Sequence, residues 1–239
     1  MGKRGQVAGF ILVAIVILLL ALALQYSFKN RAVAQEQQNE LVGDSRQLNL
    51  ALSDCLRDMT EDYIVLMGLN GGTIAFVQDP YSVIVPVRAW LVNGTARIPE
   101  PAELEHTLQD VIETATPFCA QELNMTITGA VQATVKFQEN TIIVVLQYPV
   151  KATREQTEYS FSDFDFRIPV RMLHVLQLAA ETTLINQALQ TQAAPDLLVG
   201  KDVDVQIDVH EKKWIYQFID HKSLVKQKPF QFFFVEQFS

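Results

Sequence analysis

Asp202, Asp204 and Asp208 lie at even spacing in a run that alternates with Val203, Val205, Ile207 and Val209. On a strand such spacing puts all three carboxylates on one face. Gathered carboxylates suit a hard cation, but a calcium loop wraps its ion through a tight turn. A flat strand cannot wrap, so a solvated face is expected. Asp163 and Asp165 are the other close pair, and paired carboxylates can work as acid and base. Two residues apart on a strand, they too are expected simply to share its outer face. His106, His174, His210 and His221 are scattered, and none makes a zinc spacing with another histidine or a cysteine. Gly68 and Gly71-Gly72 lack the Lys-Ser/Thr that a phosphate loop needs and follow a helical pattern, so they are read as a helix end. No Gly-x-Ser-x-Gly elbow is present. Cys55, on an apolar helical face, is a poor nucleophile without a base or cation beside it. The sequence therefore assigns no catalytic residue, no cofactor and no metal ligand.

The elements that would carry these residues are legible in part. Leu48, Leu52, Cys55, Leu56, Met59, Tyr63 and Leu66 recur at three and four, which predicts a helix stopped by Gly68. Thr73–Val77 and Val83–Val92 are β-rich, with Asp79-Pro80 as a turn and Asn93-Gly94 as another. Pro99-Glu100-Pro101 opens a helix whose face carries Leu104, Leu108, Val111, Ile112, Ala115 and Phe118, with Pro117 as a kink site. Strict alternation over Thr126–Phe137 predicts a half-buried strand that returns as Thr141–Ala152 in an antiparallel hairpin. Pro149 marks an unpaired edge there. Tyr159–Val170 changes phase between Phe161 and Phe164, which predicts a bulge near Ser162-Asp163. A helix follows from Arg171 to about Gln192, with Leu173, Leu176, Ala180, Leu184 and Ala188 on its apolar face and Pro195 as its stop. Two strands then flank Glu211-Lys212-Lys213. Lys212, Lys213, Lys222, Lys226 and Lys228 form a basic run that either meets an acidic partner or solvates a loop. In the tail, Phe230, Phe232, Phe233 and Phe234 put apolar side chains on both faces. That strand is either buried in its own sheet or donated to a partner, since a free edge of this kind aggregates.

Val7–Leu24 is 18 consecutive uncharged residues with no polar stripe. As a helix it spans about 27 Å, close to the hydrocarbon core of a bilayer. Tyr26 and Phe28 sit where interfacial aromatics lie. Residues 1–31 hold Lys3, Arg4, Lys29 and Arg31 and no acid; with a net charge of −8 overall, the remainder is strongly acidic. An acidic domain repels phosphate backbones, so nucleic acid is not an expected partner. The two cysteines, Cys55 and Cys119, permit one disulfide or remain buried thiols. Asn93-Gly94-Thr95 and Asn124-Met125-Thr126 are glycosylation tripeptides. These features place the domain outside the cell and the N-terminus inside. Ala32-Val33-Ala34 reads like a small-residue signal-peptidase site, so cleavage after Ala34 and retention of the segment are both open.

Lys3-Arg4-Gly5-Gln6 ahead of the apolar run resembles the class III signal peptide of archaeal type IV pilin-like subunits. That resemblance implies cleavage between Gly5 and Gln6 with the apolar helix kept. Phe10 departs from the family, which usually has Glu at the fifth mature position. Cys55-Leu56 opening a helix that ends in Gly68–Ile74, Cys119 closing a second, Tyr148-Pro149-Val150 and the Phe-rich tail together resemble membrane-anchored proteins of small-genome archaea. That group supplies no activity.

The reading is an α+β chain: a transmembrane signal-anchor over 1–31, a helical stalk over 32–47, and an extracytoplasmic domain over 48–239. The domain is expected to be an antiparallel sheet with helices packed on one face. The expected role is a structural or interaction protein of the cell surface, pilin-like, contacting membrane lipid and either itself or another surface protein. The competing role is the exterior binding subunit of a secretion or envelope complex, docking through an exposed Trp90 or the Phe-rich tail. An enzyme ranks third.

Overall fold

A computed structural model describes residues 45–74, 87–154, 157–189, 202–210 and 212–237. The apolar run Val7–Leu24, Gly5-Gln6, most of the stalk, the Asp79-Pro80 turn and Pro195 lie outside the described residues. Among the described residues, no helix is long and apolar enough to cross a membrane. The chain divides into two compact units, Met1–Leu50 and Ala51–Ser239. The sheets, the disulfide and the second and third helices all belong to the second unit.

That unit is α+β with two sheets. Helix α1 covers 45–69, α2 Pro101–Glu122 and α3 Met172–Leu189. Sheet A runs in the order β2 (Thr95–Ala96), β1 (Ala89–Val92), β9 (Lys228–Gln237), β8 (Lys213–Val225), β7 (Asp204–His210). In sheet B, β5 (Ile142–Arg154) pairs with β6 (Thr157–Ile168) on one side, and with β3 (Thr126–Ile127) and β4 (Gln132–Phe137) on the other. The expected purely antiparallel sheet is corrected at one seam. β1 and β9 run parallel, Ala89 opposite Val235 and Val92 opposite Gln237. This seam joins segments more than a hundred residues apart, and local patterning carries no signal for it.

Each sheet buries one face. On sheet A, Trp90, Tyr216, Phe218, Phe230, Phe232 and Phe234 are buried, with the Phe234 ring stacked 4.8 Å from Tyr216 and 5.0 Å from Trp90. Helix α3 packs on this sheet and α2 on β4 and β3. Helix α1 reaches both: the Arg57 guanidinium lies over the Phe166 ring of β6, and the α1 C-terminus meets β9. Gly68 is a packing residue inside α1 rather than its stop. A Cβ there would stand 2.2 Å from the Gln231 carbonyl oxygen. Gly71 and Gly72 end the helix with φ of 69° and 93°, conformations that disfavour other residues, and the Gly72 amide donates to the Met67 carbonyl.

Of the two readings of the tail, the described residues show the strand paired within its own sheet. β9 pairs with β8 along its length and with β1 at its end, while Gly68 and Gly71 crowd the Gln231 and Phe233 carbonyls. Phe230, Phe232 and Phe234 are buried and Phe233 is half-buried. Trp90 is fully buried, its Nε1 donating to the Gly71 carbonyl, so it offers no docking face. Strand β4 has an outer edge, and α2 caps it: Glu113 and Glu105 accept from the amides of Ala133 and Phe137, each at 2.8 Å. Edge amides satisfied by helix carboxylates are closed to a foreign strand.

The continuous strand expected over Thr126–Phe137 is broken between Ile127 and Gln132. Opposite the break, Pro149 supplies no amide, and its ring would meet a Cβ on Gly129 at 2.7 Å. The β5–β6 register shifts at the same place, between Gln147 opposite Asp163 and Val150 opposite Phe161. The bulge stands where the phase change predicts it, but the extra residue belongs to β5. Tyr148 sits in this bulge, fully buried, and its hydroxyl finds no hydrogen-bond partner among the described residues; burial pushes its pKa up to about 12. Tyr148→Phe removes an unsatisfied group while keeping the ring. The variant is expected to gain about 1 kcal/mol in urea unfolding.

The apolar faces of the helices differ from the pattern. In α1 the core side chains are Leu52, Leu56, Ile64 and Met67 with Thr60, while Met59, Tyr63 and Leu66 are half-exposed. In α2 the chain continues through Pro117, and Phe118 is 64 % exposed. In α3 the buried face is Met172, Val175, Leu176, Leu178, Ala179, Thr182, Thr183 and Asn186; Leu184 is 53 % exposed and Ala188 is exposed. These helices carry apolar residues on more than one side, so periodicity finds part of each stripe (Leu52 and Leu56 in α1, Leu104, Leu108, Ile112 and Ala115 in α2, Leu176 in α3) and misplaces the rest.

Candidate functional site

Two polar clusters fix the ends of α3 to sheet A, and they hold the most perturbed titratable groups of the domain. Their positions follow from strand alternation. Tyr216, Phe218 and Asp220 share one phase of β8, and Phe230, Phe232, Phe234 and Glu236 share one phase of β9. Each strand thus places an acid at the end of an aromatic row facing α3.

At the N-terminal end, Arg171 precedes the first turn of α3. Its Nε and Nη2 donate to the two carboxylate oxygens of Asp220, which is fully buried. The Ser223 hydroxyl donates to Asp220 Oδ2 and accepts from the Arg171 amide, and the Lys222 amide donates to Asp220 Oδ1. Residues 221–223 reach this position because the β8–β9 register slips between Asp220 and Leu224. Arg171 Nη1 continues to Asp202 at 2.6 Å, and Asp202 also receives Lys222 Nζ and His174 Nε2, each at 2.7 Å. Burial pushes the Asp220 carboxyl up, but the Arg171, Ser223 and Lys222 donors outweigh it and hold the carboxyl below its usual range. Lys222, Arg171 and His174 likewise hold Asp202 far below it. The Asp220 hydrogen bond raises Arg171 further. Chemically this is a closed ionic lock. The Ser223 hydroxyl is spent on Asp220 rather than on an imidazole.

At the C-terminal end, the fully buried Glu236 accepts at Oε2 from Asn186 Nδ2 at 2.7 Å, and Asn186 also donates to the Tyr216 hydroxyl at 2.9 Å. Glu236 Oε1 and Thr183 Oγ1 are buried without a completed hydrogen bond. Burial outweighs the Asn186, Thr183 and Tyr216 dipoles and lifts the Glu236 pKa to about 7. Burial and the nearby Glu236 raise Tyr216 strongly.

The residues singled out from sequence are dispersed. Asp202 is part of the lock rather than of a strand face with Asp204 and Asp208. Those two are exposed on β7 and meet His221 at 3.0 Å and His210 at 2.9 Å. His106 lies 3.6 Å from Asp110. Asp163 and Asp165 point outward from β6, with the Ser162 hydroxyl on Asp163. Among the described residues, no three His, Cys, Asp or Glu side chains gather as a metal site. Lys222 and Lys226 of the basic run find acids in their own chain, Asp202 and Asp62. Lys226 and Gln227 form the two-residue turn between β8 and β9, both at positive φ.

Cys55 and Cys119 are joined in a disulfide between α1 and α2. A shallow groove beside it is lined by Asp58, Met59, Asp62, Tyr63, Leu66 and Glu122. Asn93 and Asn124 are exposed at left-handed turn positions, φ 49° and 53°. Period two on β8 and β9 puts Asp220 and Glu236 in phase with the buried aromatic residues. That signal was present in the sequence and was missed. Compared with known protein families, with curated proteins and with solved structures, the chain matches none.

Proposed function

We propose that this chain is a membrane-anchored, extracytoplasmic structural or interaction protein of the cell surface, built on a pilin-like N-terminal helix. The observation that carries the reading is the bond between its only two cysteines. Disulfides persist in oxidising compartments, and the apolar run Val7–Leu24 supplies a segment that water refuses and lipid accepts. Asn93 and Asn124 support the same placement, since both glycosylation tripeptides start on exposed turns. The buried acids Asp220 and Glu236 dock α3 on its sheet.

The test is extraction of the full-length chain from membranes with mild detergent, followed by sizing and mass spectrometry of its N-terminus. Release only by detergent, an N-terminus at Gln6 and self-assembled oligomers are the expected results. A chain beginning at Met1 that stays monodisperse in plain buffer overturns the proposal.

A further inference from the structure

The two ends of α3 are fixed by opposite chemistry. At Arg171 a buried carboxylate is matched by a guanidinium, a hydroxyl and an amide, so the lock needs a charge. Among the described residues, the groups that meet the Glu236 carboxyl are neutral. Helix α3 contributes Asn186 and Thr183, β8 contributes Tyr216, and β1 places Leu91 opposite in register. Tyr216 is the one titratable group among them. A buried carboxylate without a cation is costly, whereas a carboxylic acid there can donate from its second oxygen.

We propose that α3 is a strap held by two locks of opposite protonation, and that loss of the Glu236 proton frees its C-terminal end from the aromatic face of sheet A. The ionic lock at Arg171 stays closed meanwhile, so the helix hinges from its N-terminus. The linkage has a definite sign. An opened strap returns Glu236 to a carboxyl pKa near 4.5, while the closed strap holds its proton to about 7. Between those values the closed form binds more protons, so opening grows about tenfold per pH unit and levels off above 7. The strap is therefore tightest in mildly acidic surroundings.

Hydrogen exchange of the full-length chain in detergent, corrected for intrinsic rates, tests this at pH 5.5 and 8.5. Amides of residues 180–189 are expected to lose about tenfold to thirtyfold protection at the higher pH, while those at the start of α3 keep theirs. Glu236→Gln, a neutral mimic of the acid, is expected to abolish the difference. Equal protection at both pH values in the native chain overturns the proposal, as does an unchanged pH dependence in the variant. If the variant does not fold, infrared spectroscopy of the native chain reads the carboxyl directly. A buried protonated carboxyl band at pH 5.5 that fades by pH 8.5 supports the strap; its absence at pH 5.5 overturns it.

Discussion

Arg171→Met is expected to lower the stability of the domain by about 3–5 kcal/mol at pH 7. The loss comes from what is left behind. Asp220 has no exposure to water, and without Arg171 its two oxygens keep only the Ser223 hydroxyl and the Lys222 amide. An uncompensated buried charge must then be carried or neutralised at a cost. Domains of this size have about 5–15 kcal/mol in total, so the variant should sit near the edge of folding. Arg171→Met with Asp220→Leu removes both charges and is expected to recover at least half the loss. The pH profile carries the same signature. The Asp220 carboxyl is held below its ordinary value near 3.8, so its contribution is present above that pH and is lost as acid titrates the native carboxyl. Native protein should weaken steeply in acid, and Arg171→Met should weaken far less. Urea unfolding at several pH values reads both effects. A single-variant loss under 1 kcal/mol would mean that the lock does not hold α3.

Removal of the Cys55–Cys119 bond has the second large effect. The cysteines are 64 residues apart, and the chain-entropy model gives about 4 kcal/mol for closing a loop of that length. The closed segment contains most of α1, strands β1 and β2, and most of α2, so reduction removes the side-chain cross-link between the two helices. Cys119 lies in the core of α2, and serine there adds a buried hydroxyl, so reduction by a thiol is the cleaner perturbation. The urea midpoint with and without reductant measures the loss. A shift worth less than 1 kcal/mol would show that packing alone holds α1 to α2. In that case the bond would say little about where the protein works.

Both effects depend on features that the sequence displays unequally. Pro101 starts α2 where the Pro-Glu-Pro signal places it, and the β5–β6 bulge falls at the phase change between Phe161 and Phe164. Local chemistry sets these features, so local patterns reveal them. The faces of α1 and α3 are legible only in part, because Thr60, Thr182, Thr183 and Asn186 take core positions while Met59, Tyr63 and Leu184 do not. Threonine hydroxyls in helices satisfy themselves on carbonyls four residues back, as Thr60 does on Leu56 and Thr182 on Leu178. That lets polar residue types occupy a core that a hydrophobic count assigns elsewhere. The parallel β1–β9 seam and the Arg171–Asp220 pairing span long stretches of chain, and single-sequence periodicity contains no term for either. Glu236 is different: its place on the core phase of β9 was readable, but the density of phenylalanine around it suggested a strand apolar on both faces.

The central claim, that the domain stands outside the membrane, meets its most direct test in intact cells. Lys212 and Lys213 are exposed near the β7–β8 turn, within reach of an amine-reactive label that cannot cross a bilayer. The full-length chain should take up the label in unbroken cells to nearly the extent seen after lysis. Labelling that appears only once the cells are broken would place the domain on the inner side and contradict the account.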